Sequence, residues 1–323
     1  MKNVIVGIGS ALVDILAHET EDFLHKSGAV KGGMTLVDNA SIESVLSDLK
    51  TSPSVVPGGS ACNTMIGIAR LGGASRFVGK RGAGPMGSFF ENGLVENGVE
   101  PHLLHSPSRT GRVLSIITPD AQRSMLTYLG ASSEIRPDEI GDAHFEGAAV
   151  VHIEGYLLFN PALMLQSLSL AKKSGARISL DLASFTVVES SKALLDRIVD
   201  EFVDILIANE DEARAFTGHS DESRMIESLS SRAEIAVLKV GSRGSYISHQ
   251  GTTHRVEPVG DGCAVDTTGA GDLWASGFLF GLVNGYSLEK CGRLASACGY
   301  EVCQVVGAGV PHAGWERIRQ LLD

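Results

Sequence analysis

From residue 149 onward the chain repeats one pattern: a short apolar run, a turn, a longer segment of helical character, then another apolar run. VVHIEG reads as a strand and PALMLQSLSLAKKSG as a helix, with Pro161 at its start and Gly175 after its end. RISLDLA is a strand, residues 186–200 a helix, DILIAN a strand, and EDEARAFTG the opening of the next helix. Proline suits a helix start because its missing N–H has no partner there. Glycine suits the position after a helix because it enters the left-handed region without strain. Strands that alternate with helices pair as parallel neighbours and need cover on both faces. The predicted class is therefore α/β with a mostly parallel sheet, and residues 3–9, NVIVGIG, supply a further buried strand. Ligands of such sheets gather beyond the carboxyl ends of the strands.

With 323 residues, 43% of them hydrophobic, the chain suffices for a single large domain over 1–323. A formal charge of −11 speaks against nucleic acid or an anionic membrane as partner, since both require a basic face. No apolar run reaches the length of a membrane span. The N-terminus, interrupted by Gly7, Gly9 and Asp14, reads as a first strand and not as a signal peptide. Five scattered cysteines without a C-x-x-C read as reduced thiols in a cytoplasmic protein. Residues 39–49 are predicted as a helix capped by Asn39.

A second stretch adds chemistry. Asp266-Thr267-Thr268-Gly269-Ala270-Gly271-Asp272 runs directly into LWASGFLFGL, a polar loop followed by an apolar helical segment. Gly269 and Gly271 permit a tight turn. The first N–H groups of the helix lack intrahelical acceptors and coincide with the positive end of its dipole, which makes an anion site. A carboxylate at Asp272 would repel a phosphate there, unless its task is to take a proton from a hydroxyl attacking that phosphate. The dipole is expected to keep it ionised and basic. Loop, helix N-terminus and aspartate together read as a phosphoryl-transfer centre. The plainer alternative is a βα turn with Asp272 as a helix cap.

The run D-T-T-G-A-G-D resembles the C-terminal signature of the ribokinase-like (PfkB) sugar and nucleoside kinases. Pro57-Gly58-Gly59-Ser60-Ala61-Cys62-Asn63-Thr64, leading into MIGIARLGG, resembles the N-terminal signature of the same family. The resemblance extends over nearly the whole chain. It implies a ribokinase-like three-layer αβα sandwich plus a small β lid, formed by about residues 12–37 and 108–130. It implies ATP and Mg²⁺ as cofactors, Asp272 as catalytic base, and the amides of Gly269, Ala270 and Gly271 as anion hole. Substrate hydroxyls fall to Asp14, Gly58, Gly59 and Asn63; a carboxylate has two oxygens with which to accept from a vicinal diol.

The same resemblance places Asn209, Lys239, Gly241 and Gly244 on the ATP side and gives Glu212 a magnesium role through water. An acidic first helical turn explains Glu212 equally, and Lys239 has a solvent-facing alternative. Asp181 reads as structural or functional, because relatives carry Asp-x-Asn where this chain has Ala183. Gly307–Pro311 resembles the closing stretch near adenine, and Asp266 and Thr268 are candidates to hold a monovalent cation such as K⁺. The lid is a candidate homodimer contact.

Gly82-Ala83-Gly84-Pro85-Met86-Gly87 is a literal G-x-G-x-x-G. It lies outside the opening βαβ unit, and the next strand-like segment, ending near His102–His105, carries no acid. Arg112 reads as a partner for an anionic substrate or as a lid-surface residue. Tyr128, Tyr156, Phe159 and Phe185 are candidates to stack on a base, or core residues. The sequence thus predicts an ATP-dependent kinase acting on a hydroxymethyl group of a sugar or nucleoside of the adenosine, ribose or fructose class. A non-catalytic relative that binds a sugar or nucleoside, and an NAD-dependent oxidoreductase, are the alternatives.

Overall fold

A computed structural model describes residues 3–50, 52–120 and 122–322. Its strands are β1 (Val4–Ile8), β2 (Leu12–His18), β3 (Met34–Leu36), β4 (Ser54–Gly58), β5 (Ser75–Ala83), β6 (Glu100–Ile117) and β7 (Arg123–Gly130). They continue with β8 (Ala148–Glu154), β9 (Arg177–Asp181), β10 (Ile205–Asn209), β11 (Ile235–Lys239), β12 (Ser245–His249) and β13 (Thr252–Val256). The main sheet runs β13-β12-β11-β10-β9-β8-β1-β5-β6. From β11 to β6 every pairing is parallel, and the β12–β13 hairpin adds an antiparallel edge.

Both faces of this sheet are covered, and the period of two along each strand shows it. In β10, Leu206 and Ala208 join one core while Ile205 and Ile207 join the other; in β11, Ala236 and Leu238 divide from Ile235 and Val237 in the same way. The helices Pro161–Ser174, Phe185–Phe202, Glu210–Thr217 and Glu222–Ser230 cover the first face. The helices Ser60–Arg70, Pro85–Glu96, Ala270–Val283 and Leu288–Cys303 cover the second. The result is the predicted αβα sandwich. No described helix is long and apolar enough to cross a membrane.

A second sheet, β4-β2-β6-β7-β3, lies beyond the first, and β6 belongs to both. Over its first half β6 pairs with β5, and from Thr110 onward with β2 and β7. One lateral row of this second sheet reads Val56, Asp14, Val113, Thr127, Leu36.

Several local expectations need correction. The helix Asn39–Ser47 is capped by Asp38, whose carboxylate accepts the Ser41 N–H at 2.7 Å; Asn39 is its first residue. Between β2 and β3 stands an unpredicted helix, Glu21–Ser27. The strand expected to end near His102–His105 continues unbroken to Ile117. Asp14 sits inside β2 and not beyond a strand end, since β2 begins the second sheet and does not extend the first. The strand β4 pairs antiparallel with β2.

Candidate active site

One cavity of about 650 Å³ opens where the carboxyl ends of the main-sheet strands face the second sheet. Glu154, Asp181, Asn209 and Lys239 are the last residues of β8, β9, β10 and β11 and all line it. Of the residues singled out from sequence, Asp14, Gly59, Asn63, Asn209, Glu212, Lys239, Gly241, Gly244, Gly269, Ala270, Gly271 and Asp272 also line it. Gly58, Asp266 and Thr268 do not, and neither does Gly307–Pro311.

Asp272 lies in the first turn of the helix Ala270–Val283. Ser60 Oγ donates to its Oδ1 at 2.7 Å and Asn63 Nδ2 to its Oδ2 at 2.9 Å. Thr64 Oγ1 donates to its main-chain carbonyl at 3.2 Å. Asn63, expected on substrate, is thus bonded to Asp272, and the two signatures meet at one carboxylate. Burial raises the pKa of Asp272 against the pull of these two donors and of Arg123. The helix dipole therefore does not act alone: the site makes this carboxylate a stronger base than a free one while still solvating its charge.

The helix has no side-chain N-cap; Gly269, at φ 76°, makes the turn into it. The amide of Ala270 donates back to Thr267 O at 3.2 Å, while those of Gly269 and Gly271 donate to no described residue. Lys239 stands close by, with its Nζ 3.1 Å from where a Gly271 Cβ would lie. Lys239 is largely shielded, with its side chain 13% exposed, and is paired with Asp181 at 2.8 Å, which argues against the solvent-facing alternative. Burial works against its ammonium, but Asp181 and Glu212 more than offset that and raise its pKa. Free amides, a helix N-terminus and a largely shielded cation together favour a polyanion.

Asp14 faces the cavity, and its carboxylate accepts no hydrogen bond from a described residue. Burial lifts its pKa to about 7, with Arg123 opposing the shift and Asp272 adding to it. A Cβ on Gly58 would overlap this carboxyl group, so glycine there makes room for Asp14. Gly59, at φ 98°, turns the chain from β4 into the helix Ser60–Arg70.

Asn209 and Glu212 form a capping box. The Asn209 N–H and Nδ2 donate to Glu212 Oε2 and Oε1 at 2.8 and 2.7 Å, and the Glu212 N–H returns to Asn209 Oδ1 at 2.9 Å. Burial and Asp181 raise the pKa of Glu212. No group of three acidic, histidine or cysteine side chains gathers as a metal cluster among the described residues. A divalent ion here would take most of its oxygens from phosphates and water, as Mg²⁺ does. Asp266 is fully buried and bonded to the Thr268 N–H and Oγ1 and to the Gly307 N–H, at 2.8–2.9 Å. It braces the glycine loop from behind. Gly241 and Gly244, at φ 57° and 94°, shape the turn after β11.

Three residues went unnoticed in the sequence. Arg123 on β7 lines the cavity and pairs with no described residue; its charge acts on Asp14 and Asp272. Glu154 accepts the Ser10 and Ala61 amides at 2.8 and 2.9 Å, tying the segment after β1 to the helix that carries Ser60 and Asn63. Ser60 bonds Asp272 directly. A carboxylate ending the apolar run VVHIE was a readable signal for Glu154; nothing local distinguished Arg123. Arg112 is buried against Asn39 and Glu43, both at 2.9 Å, and takes neither predicted place. Tyr156 and Phe159 line the cavity with stacked rings, whereas Tyr128 and Phe185 do not line it. The glycine run 82–87 packs against β6 away from the cavity, which removes the basis of the dinucleotide alternative.

A family model described as pfkB family carbohydrate kinase matches residues 28–313. The chain is 31% identical to a solved structure of adenosine kinase from Sinorhizobium meliloti, with a TM-score of 0.93 and 99% of both chains covered. It is 29% identical to adenosine kinase of Saccharomyces cerevisiae, over 90% of this chain and 91% of that one. It is 28% identical to a probable fructokinase-4 of Arabidopsis thaliana, over 85% and 90%.

Proposed function

Because the chain belongs to the pfkB family of carbohydrate kinases, phosphotransferases with an alcohol group as acceptor, we propose that it transfers the γ-phosphoryl group of ATP to the hydroxymethyl group of a nucleoside. The observation that carries the proposal is the carboxylate of Asp272, held by Ser60 and Asn63 beside the free amides of Gly269 and Gly271 and the ammonium of Lys239. Asp272 takes the proton of the acceptor hydroxyl as its oxygen bonds to the γ-phosphorus and the bond to the β-phosphate oxygen breaks. The amides of Gly269 and Gly271, Lys239 and Arg123 face the negative charge of the phosphoryl oxygens. Asn209, Gly241 and Gly244 belong to the ATP side. Mg²⁺, when bound, neutralises phosphate charge; waters ordered by Asp181, Asn209 and Glu212 would hold it. Asp14 accepts from a vicinal diol, with Gly58 and Gly59 shaping its surroundings.

The inner face of the second sheet favours a nucleoside over a free sugar. Leu12, Met34, Val113, Met125 and Leu129 all line the cavity there. A free ribose or fructose would turn hydroxyls onto these groups and leave them unpaired, whereas a flat base buries apolar faces against them. We read this sheet as the lid that excludes water from the reaction. Its outer strands expose Leu36 at one edge and Val55 at the other, and the proposed homodimer forms through this sheet. The proposed location is the cytoplasm.

An ADP-release screen over adenosine, other nucleosides, ribose and fructose tests the proposal, run in K⁺ and in Na⁺ to read the loop at Asp266 and Thr268. Turnover of nucleosides above both free sugars is expected. Turnover with ribose or fructose and no nucleoside would overturn the assignment.

A further inference from the structure

Asp14 and Thr127 share a lateral row of the second sheet, two strands apart, with Val113 between them. At 4.7–4.9 Å per strand that separation is about 10 Å. Both side chains face the cavity. The alternation along β7 agrees: Met125, Thr127 and Leu129 face inward, while Leu126 and Tyr128 pack into the core behind the sheet.

Thr127 is 4% exposed, and its hydroxyl bonds to no described residue. Its inward neighbours are apolar on both sides, and valine would fill the same volume without a polar atom. Packing therefore gives no reason for threonine here. A buried hydroxyl without a partner is costly, and the cost disappears when a ligand supplies the missing partner. Thr127 thus stands two strands along the same face from the carboxylate assigned above to the ribose hydroxyls.

Resting on the nucleoside reading, we propose that Thr127 is the specificity-determining contact for the base. Its hydroxyl bonds one heteroatom on the base edge, while Met34, Met125 and Leu129 pack against the base. A hydroxyl both donates and accepts, so the partner is either a ring nitrogen or an exocyclic amino or carbonyl group. The contact is remote from the phosphoryl group and equal in ground and transition states, so it acts on KM and leaves kcat unchanged.

The test is a cycle of wild type, Thr127→Val and Thr127→Ser against adenosine, its 1-, 3- and 7-deaza analogues, and the analogue lacking the 6-amino group. Thr127→Val is expected to raise KM for adenosine roughly three- to tenfold, the range of one neutral hydrogen bond, with kcat within twofold. One analogue should lose the same factor in wild type and nothing further in the valine variant. Thr127→Ser should restore the wild-type ranking. A melting temperature for each variant separates binding from folding. If wild type turns over nucleosides but Thr127→Val changes no KM and couples to no analogue, the inference fails while the nucleoside reading stands. If wild type accepts free sugars and no nucleoside, both fail.

Discussion

Replacing Asp272 by asparagine separates proton transfer from everything else the site does. The amide has the shape of the carboxylate and keeps both local bonds. Its oxygen can still accept from Asn63 Nδ2, and its NH₂ can donate to Ser60 Oγ, a hydroxyl that now donates at 2.7 Å but also has lone pairs. Burial opposes the charge of Asp272, so a neutral group relieves a cost and the melting temperature should hold or rise. Removing a negative charge beside Gly269, Gly271 and Lys239 should leave ATP affinity equal or better. Loss of a general base slows the chemical step about 10²–10⁴-fold, or about 2.7–5.4 kcal/mol of barrier at 1.36 kcal/mol per tenfold. Coupled ADP release gives kcat, calorimetry gives ATP affinity, and a thermal melt monitors the fold. Turnover within tenfold of wild type would refute the role of Asp272. A loss of ATP affinity that matches the loss of kcat would make it a nucleotide ligand instead.

Turnover and stability should respond to pH in opposite directions. Burial lifts Asp14 and Glu154 to about 7 and raises Glu212 and Asp272 as well. As Asp14 ionises, kcat/KM for the acceptor should rise between pH 6 and 8; a flat profile would contradict its assignment. For stability, folded-state values above the unfolded ones mean that the contribution is complete below about pH 4 and lost as pH rises through about 7. His152, lowered to about 4 by burial, contributes fully above its unfolded value and adds no slope there. Melting temperatures of ligand-free protein should therefore fall between pH 6.5 and 8. Lys239→Met leaves Asp181 buried without its cation, and breaking such a pair costs about 3–5 kcal/mol. Adding Asp181→Asn should recover part of that in urea denaturation; a single variant within about 1 kcal/mol of wild type would count against the pair.

The sequence revealed elements whose cause is local. Apolar runs such as VVHIE and DILIAN pack between two layers of helices, so near-continuous hydrophobicity marks them as strands. Pro161 and Gly175 bracket the helix Pro161–Ser174 as expected. The cap of the helix Asn39–Ser47 was misread by one residue, because Asp38 and Asn39 are both competent caps and backbone geometry chooses between them. The candidate site was legible as two glycine-bearing runs, but not how they join. Ser60 and Asn63 lie 212 and 209 residues from Asp272. No local pattern encodes that contact, nor the pairing of Lys239 with Asp181 or the place of Arg123. Asp14 lines the cavity from inside a strand of a second sheet, and in sequence such a carboxylate looks like one just past the end of the first.

Floor and roof of the cleft are made from one uninterrupted ribbon, the 18-residue strand β6. The ribbon leaves one sheet for the other between Ser106 and Thr110, so the two sheets share a covalent joint. At that joint the backbones of Gly82 and Thr110 press so closely that a single methyl group would not fit between them. Glycine at position 82 thus has a spatial duty: any side chain there would push apart the two backbones at the place where the ribbon changes sheets.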